Sequence, residues 1–189
     1  MKASRWSLAV SRLSLVVNRQ AELGPAVDRA VPTLHRTFCM DMSWVTGRIA
    51  VGGGIWTADN MAAVARAGVT HILDMQIEFD DTALAEPHGI TVLWNPIDDD
   101  FQLKPPEVFQ YGVDFALEAL DHEGTKLFIH CAAGVHRAPM MALAVLCSLS
   151  WQMKDAMALI VARRPVVDFA DVYVRSVERF LELQVKAER

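Results

Sequence analysis

The chain of 189 residues is short of several things, and each shortage excludes a class. It holds three cysteines, Cys39, Cys131 and Cys147, too few for a disulfide-stapled framework and in keeping with a reducing cytoplasm. No uninterrupted apolar run approaches the roughly 20 residues that span a bilayer. Cationic excess is missing too: the formal net charge is −5, which argues against a general nucleic-acid binder. The Gly52-Gly53-Gly54 triplet lacks the spacing of either common nucleotide fingerprint and reads as a turn after a strand. His130, Cys131 and His136 come nearest to a metal-ligand group, but no second ligand pair at finger-like spacing accompanies them. Neither a metal nor another cofactor is therefore expected.

What is present is concentrated in Leu127 to Cys147. An apolar run of strand length, Leu127-Phe128-Ile129, leads into small residues and a glycine, and then into an apolar stretch long enough for a buried helix. Little side-chain bulk at Ala132, Ala133 and Gly134 lets the backbone amides curl inward as an anion-binding nest. That nest discharges into a helix N-terminus, whose free N–H groups and dipole also favour an anion, and Pro139 suits the first helical turn. A cysteine there is biased toward the nucleophilic thiolate, with His130 and Arg137 close by in the chain. The Arg137 fork can grip two oxygens of a phosphoryl group. The expected chemistry is attack of Cys131 on phosphorus, giving a cysteinyl-phosphate that water hydrolyses, with the amides of Ala132, Ala133, Gly134, Val135, His136 and Arg137 binding the phosphate.

The run His130-Cys131-Ala132-Ala133-Gly134-Val135-His136-Arg137 resembles the His-Cys-x-x-Gly-x-x-Arg signature of cysteine-dependent protein phosphatases, most closely the compact dual-specificity branch. The resemblance covers roughly residues 41–183 and implies a metal-free, two-step phosphomonoester hydrolase acting on phosphorylated protein side chains, or on phosphorylated carbohydrate or lipid. It also implies a general acid about thirty residues before the nucleophile, after a Pro-apolar-x pattern. Pro96-Ile97-Asp98-Asp99 places Asp99 there, with Asp98 and Asp100 as neighbours one residue to either side. By its place in the signature, His130 supports the thiolate and the loop. Ala138 departs from the family pattern, where Ser or Thr helps the thiolate leave in the second step. A phosphate-recognising protein of low turnover and a rhodanese-type sulfurtransferase are the competing readings.

Around the loop, the period of the apolar residues predicts strands at 70–75, 90–94 and 126–130 alternating with helices. The fold class is α/β, a central and mainly parallel sheet flanked by helices, with ligands beyond the carboxyl ends of the strands. Short strands at Trp44–Val45 and Arg48–Val51, and helices over 57–66, 105–120, 154–163 and 171–185, complete residues 41–189 as one domain. Residues 76–89 read as irregular, and Arg163-Arg164 as a solvated helix end. Residues 1–40 form an N-terminal extension, helical or frayed. Up to Gln20 it carries Lys2, Arg5, Arg12 and Arg19 with no acid, and such a segment could contact an anionic membrane or a partner.

Overall fold

The computed structural model describes residues 40–187. The expectations for the N-terminal extension and for Cys39 lie outside that range. Five strands form one sheet: β1 (Met42–Trp44), β2 (Ile49–Gly52), β3 (His71–Asp74), β4 (Thr91–Trp94) and β5 (Leu127–His130). Their order is β1-β2-β5-β3-β4. Only β1 runs antiparallel, against β2; β5 lies parallel between β2 and β3, and β4 is parallel to β3. The helices are α1 (Ala58–Arg66), α2 (Thr82–Ala85), α3 (Pro106–Asp121), α4 (Arg137–Ser148), α5 (Met153–Arg163) and α6 (Asp171–Ala187). No helix among the described residues is long and apolar enough to cross a membrane.

Side chains alternate across a strand, and in β5 that alternation sorts the molecule. Leu127, Ile129 and then Cys131 join the core shared with Phe109, Leu143 and Val177, from α3, α4 and α6. Phe128 joins the opposite core, with Ile72, Met61 and Val64, and its neighbour on that face, His130, stacks on it at 5.1 Å between ring centroids. Leu127-Phe128-Ile129 is an unbroken apolar run because both faces of β5 are covered. Being central in the sheet, it delivers Cys131 to the middle of the carboxyl edge. Helix α4 starts six residues later, and ten consecutive residues from Arg137 to Leu146 are buried, as expected of the helix that fills the space behind the site.

The expected elements recur with no end shifted by more than two residues. Thr57 caps α1 by accepting the Asn60 N–H at 3.2 Å. The stretch that reads as irregular contains one short helix, α2, and a single 3-10 turn at Glu86–His88. There the Asp80 carboxylate accepts the Thr82 N–H at 2.9 Å, a local side-chain turn that apolar periodicity does not reveal.

Candidate active site

The loop from Cys131 to His136 is built from outside. Its carbonyls at four consecutive residues each have an external donor: Gly54 N–H to Ala132 O at 3.0 Å, Arg164 Nη2 to Ala133 O at 3.1 Å, Arg164 Nε to Gly134 O at 2.8 Å, and Asp168 N–H to Val135 O at 3.1 Å. Carbonyls held outward leave the amides to turn inward, and the Gly134 N–H donates to Cys131 Sγ at 3.3 Å. Gly134 has φ +64°, and a Cβ there would run into the Gly52 carbonyl and the Arg164 guanidinium, so only glycine closes this turn. Cys131 is 1% exposed.

The sequence places Arg164 in a solvated helix end, and the structure overturns that expectation for this residue. It is buried, props two loop carbonyls, and is anchored in turn by both oxygens of Asp41 at 2.7 and 2.8 Å. The guanidinium beside Asp41 holds that carboxyl below its usual range. Arg163 stays exposed. The pairing joins residues 123 positions apart, so no local pattern could have announced it.

Arg137, the first residue of α4, is also buried. Its Nη1 donates to Glu78 Oε2 and to Ile97 O, both at 3.0 Å, and its Nη2 donates to Glu78 Oε1 at 2.7 Å. Of the five guanidinium N–H donors, this leaves Nε–H and one Nη2 proton, which share one edge. That edge is a preset fork for two oxygens of a tetrahedral anion. Glu78, with its carboxyl held low by the arginine, is a site residue that sequence reasoning misses, because it lies in an acidic stretch that reads as irregular surface.

Asp99 stands where the acidic loop after β4 meets the Cys131–His136 loop. Its Oδ2 lies 3.1 Å from His136 Nδ1 and 3.8 Å from Arg137 Nε, and its Oδ1 accepts the Tyr173 hydroxyl at 2.8 Å. Burial first, and then the Asp99 carboxylate, push the Tyr173 phenol up to about 12. Asp98 is exposed, and Asp100 is engaged by Lys104 and the Gln102 N–H. Of the three acids, Asp99 is the one brought to the loop.

His130 requires a correction in direction. Strand alternation turns its ring away from Cys131 into the opposite layer, where Nε2 lies 3.0 Å from Asp81 Oδ2 and 3.7 Å from Asp74 Oδ1. Any support it gives Cys131 passes through the backbone of β5. Asp74, Asp81 and His130 are also the one set with metal-ligand spacing among the described residues, their ligand atoms lying within 4.8 Å of one another. Burial drives the Asp74 carboxyl up to about 7 against the lowering effect of His130.

A pH dependence follows from Asp74. A carboxyl whose folded value exceeds its unfolded value holds a proton that the unfolded chain has lost, so its contribution to stability falls between about pH 4 and pH 7. Asp74→Asn mimics the protonated form and keeps an oxygen for the Gln76 N–H. It is expected to raise Tm over the parent by roughly 5–10 °C at about pH 8, corresponding to on the order of 2–3 kcal/mol, and by much less at about pH 4.5. Thermal unfolding of both proteins across this range checks the sign.

The sequence model for the dual specificity phosphatase catalytic domain matches residues 55–181, and the chain belongs to that family. Dual specificity protein phosphatase 26 of Bos taurus is 30% identical over 156 residues, covering 76% of this chain and 72% of its own. Dual specificity protein phosphatase 5 of Rattus norvegicus is 28% identical over 116 residues, 61% of this chain, and the match spans only 29% of that protein's length. Among solved structures, Tk-PTP in its active form superposes with TM-score 0.65 at 21% identity, covering 75% of this chain and 97% of its own. PTPMT1 in complex with PI(5)P gives TM-score 0.66 at 18% identity, covering 76% and 96%. At such identities these two structures speak for the fold.

Proposed function

We propose that the chain is a dual-specificity protein phosphatase that hydrolyses phosphomonoesters through a cysteinyl-phosphate. The observation that carries this reading is the loop itself: four outward-tied carbonyls, an amide aimed at Cys131 Sγ, and the free edge of Arg137. Cys131 attacks phosphorus while the inward amides of residues 132–137 and the Arg137 fork hold the equatorial oxygens, where charge is stabilised in the transition state. As the bond to phosphorus breaks, Asp99 gives its proton to the departing oxygen. It then takes a proton from the water that displaces Cys131. Glu78 and Arg164 keep the arginine and the loop in place, and His130 braces β5 from the other layer.

The catalytic unit is proposed to span residues 41–189, working in a reducing compartment such as the cytoplasm, with residues 1–20 as its contact to a membrane or partner. Phosphorylated protein side chains are the proposed substrates. A phospholipid monoester is the second reading, favoured by the exposed apolar side chains Trp56, Ile77, Phe79 and Phe101. Trp56 and Phe79 sit 6.3 Å apart, and Ile77 and Phe79 flank Glu78, the partner of Arg137. Phe101 packs on His136 at 5.0 Å. Phosphopeptides assayed beside phosphoinositides, nucleotides and phosphoglucan decide between them.

Release of inorganic phosphate from p-nitrophenyl phosphate tests the reaction class, with thiocyanate formation from thiosulfate and cyanide as the sulfurtransferase control. Ala138 occupies a buried position in the first turn of α4 and offers no hydroxyl to the departing thiolate, so breakdown of the intermediate is expected to limit turnover. The first turnover then appears as a burst, and Ala138→Ser raises kcat about tenfold, equivalent to about 1.4 kcal/mol of barrier. A linear time course unaffected by the serine would show that another group serves the second step.

A further inference from the structure

We propose that Tyr173, on α6, is a positioning residue for the general acid: it holds the loop over residues 98–104 in its working place before any substrate arrives. The inference rests on the reading of Asp99 as the acid. The Tyr173 hydroxyl sits between two loop groups, donating to Asp99 Oδ1 at 2.8 Å and accepting the Phe101 N–H at 3.0 Å. Because the amide occupies a lone pair of that oxygen, the single phenolic proton is committed to the carboxylate. The ring is fixed as well, 1% exposed, stacked on Phe101 at 5.6 Å and capped by the Lys104 ammonium at 5.5 Å.

Two further features indicate a loop held in place. Phe101 has φ +55°, a left-handed conformation that costs a non-glycine residue about 1 kcal/mol or more and persists only where neighbours enforce it. Ser176, three residues along α6 from Tyr173, accepts the Lys104 N–H at 3.1 Å and passes its own proton to Val172 O at 2.7 Å. Helix α6 thus grips the loop at Asp99, Phe101 and Lys104. From the opposite side, His136 of the phosphate loop holds Asp99 Oδ2 at 3.1 Å and is itself 3.5 Å from Asp168. Both carboxylate oxygens are engaged, and the ordering of this loop is complete before the reaction begins. When Asp99 gives up its proton, the Tyr173 O–H remains donated to the new carboxylate and stabilises it.

The test is Tyr173→Phe, which keeps the ring and removes the hydroxyl. The expected loss in kcat is about tenfold on an alkyl phosphate such as phosphoserine and less than about twofold on p-nitrophenyl phosphate, with KM unchanged on both. In an Asp99→Asn background the same change should cost nothing more, because the tyrosine acts through that carboxylate. Ser176→Ala, which loosens the loop without touching Asp99, should show a smaller loss with the same leaving-group dependence. An equal loss on both substrates, or an additive loss in the Asp99→Asn background, overturns the positioning role. If Asp99→Asn shows no leaving-group dependence, the acid assignment itself fails. If Asp99→Asn shows it and neither Tyr173→Phe nor Ser176→Ala does, only the role of α6 fails.

Discussion

Cys131→Ser is expected to abolish phosphate release, by at least about 10⁴-fold or about 5.5 kcal/mol of barrier, while leaving the oxyanion site able to bind. A serine hydroxyl stays protonated at neutral pH and receives no general base from this loop, since the ring of His130 lies across the sheet, the ring of His136 is taken up by Asp99 and Asp168, and Asp99 is proposed to serve the leaving group. Sulfur contributes little to the cradle, which consists of amides and a guanidinium edge. Tungstate binding measured by calorimetry should therefore survive the serine nearly intact. Arg137→Ala should lose both properties, because its side chain supplies two charge-assisted donors to the anion, and its removal also strands Glu78, Ile97 O and Met75 O without their donor. Phosphate release retained by Cys131→Ser would falsify the covalent mechanism.

These contrasts bear on what the sequence made legible. Cys131, Gly134 and Arg137 are close in the chain and meet in one turn, so spacing alone carries the proposed nucleophile, nest and fork. The parallel sheet is legible for a similar reason: β3, β4 and β5 are short apolar runs separated by helix-length segments. The devices that hold the loop in shape are not local. Arg164 reaches Asp41 from the far side of the chain, Glu78 meets Arg137 across 59 positions, and Tyr173 meets Asp99 across 74. Nothing in the immediate context of Glu78 separates it from Asp80 or Glu86. The direction of His130 was in principle available, because alternation along β5 sends residues 128 and 130 to one face and 127, 129 and 131 to the other. The family signature places it beside the cysteine in sequence, which says nothing about where its ring points.

Asp99→Asn supplies the second large effect, and its size should depend on the substrate. A phenolate leaving group departs with little help, whereas an alkoxide needs a proton as its bond to phosphorus breaks, and a positioned acid is typically worth about 10²–10⁴-fold in that case. The variant is thus expected to lose about 10²-fold or more on phosphoserine and less than about tenfold on p-nitrophenyl phosphate. The substituted amide would keep an oxygen to accept the Tyr173 hydroxyl, so the loop should stay in place and the loss should report the missing proton. Asp98→Asn and Asp100→Asn change the charge equally. Asp98 is exposed and Asp100 is engaged by Lys104 and the Gln102 N–H, so neither should show dependence on the leaving group. Kinetics on both substrates for all three variants assign the acid: a leaving-group-dependent loss at Asp98 or Asp100, with a small and equal loss at Asp99, moves the role to that neighbour and removes the reason for Tyr173 and His136 to hold the Asp99 carboxylate.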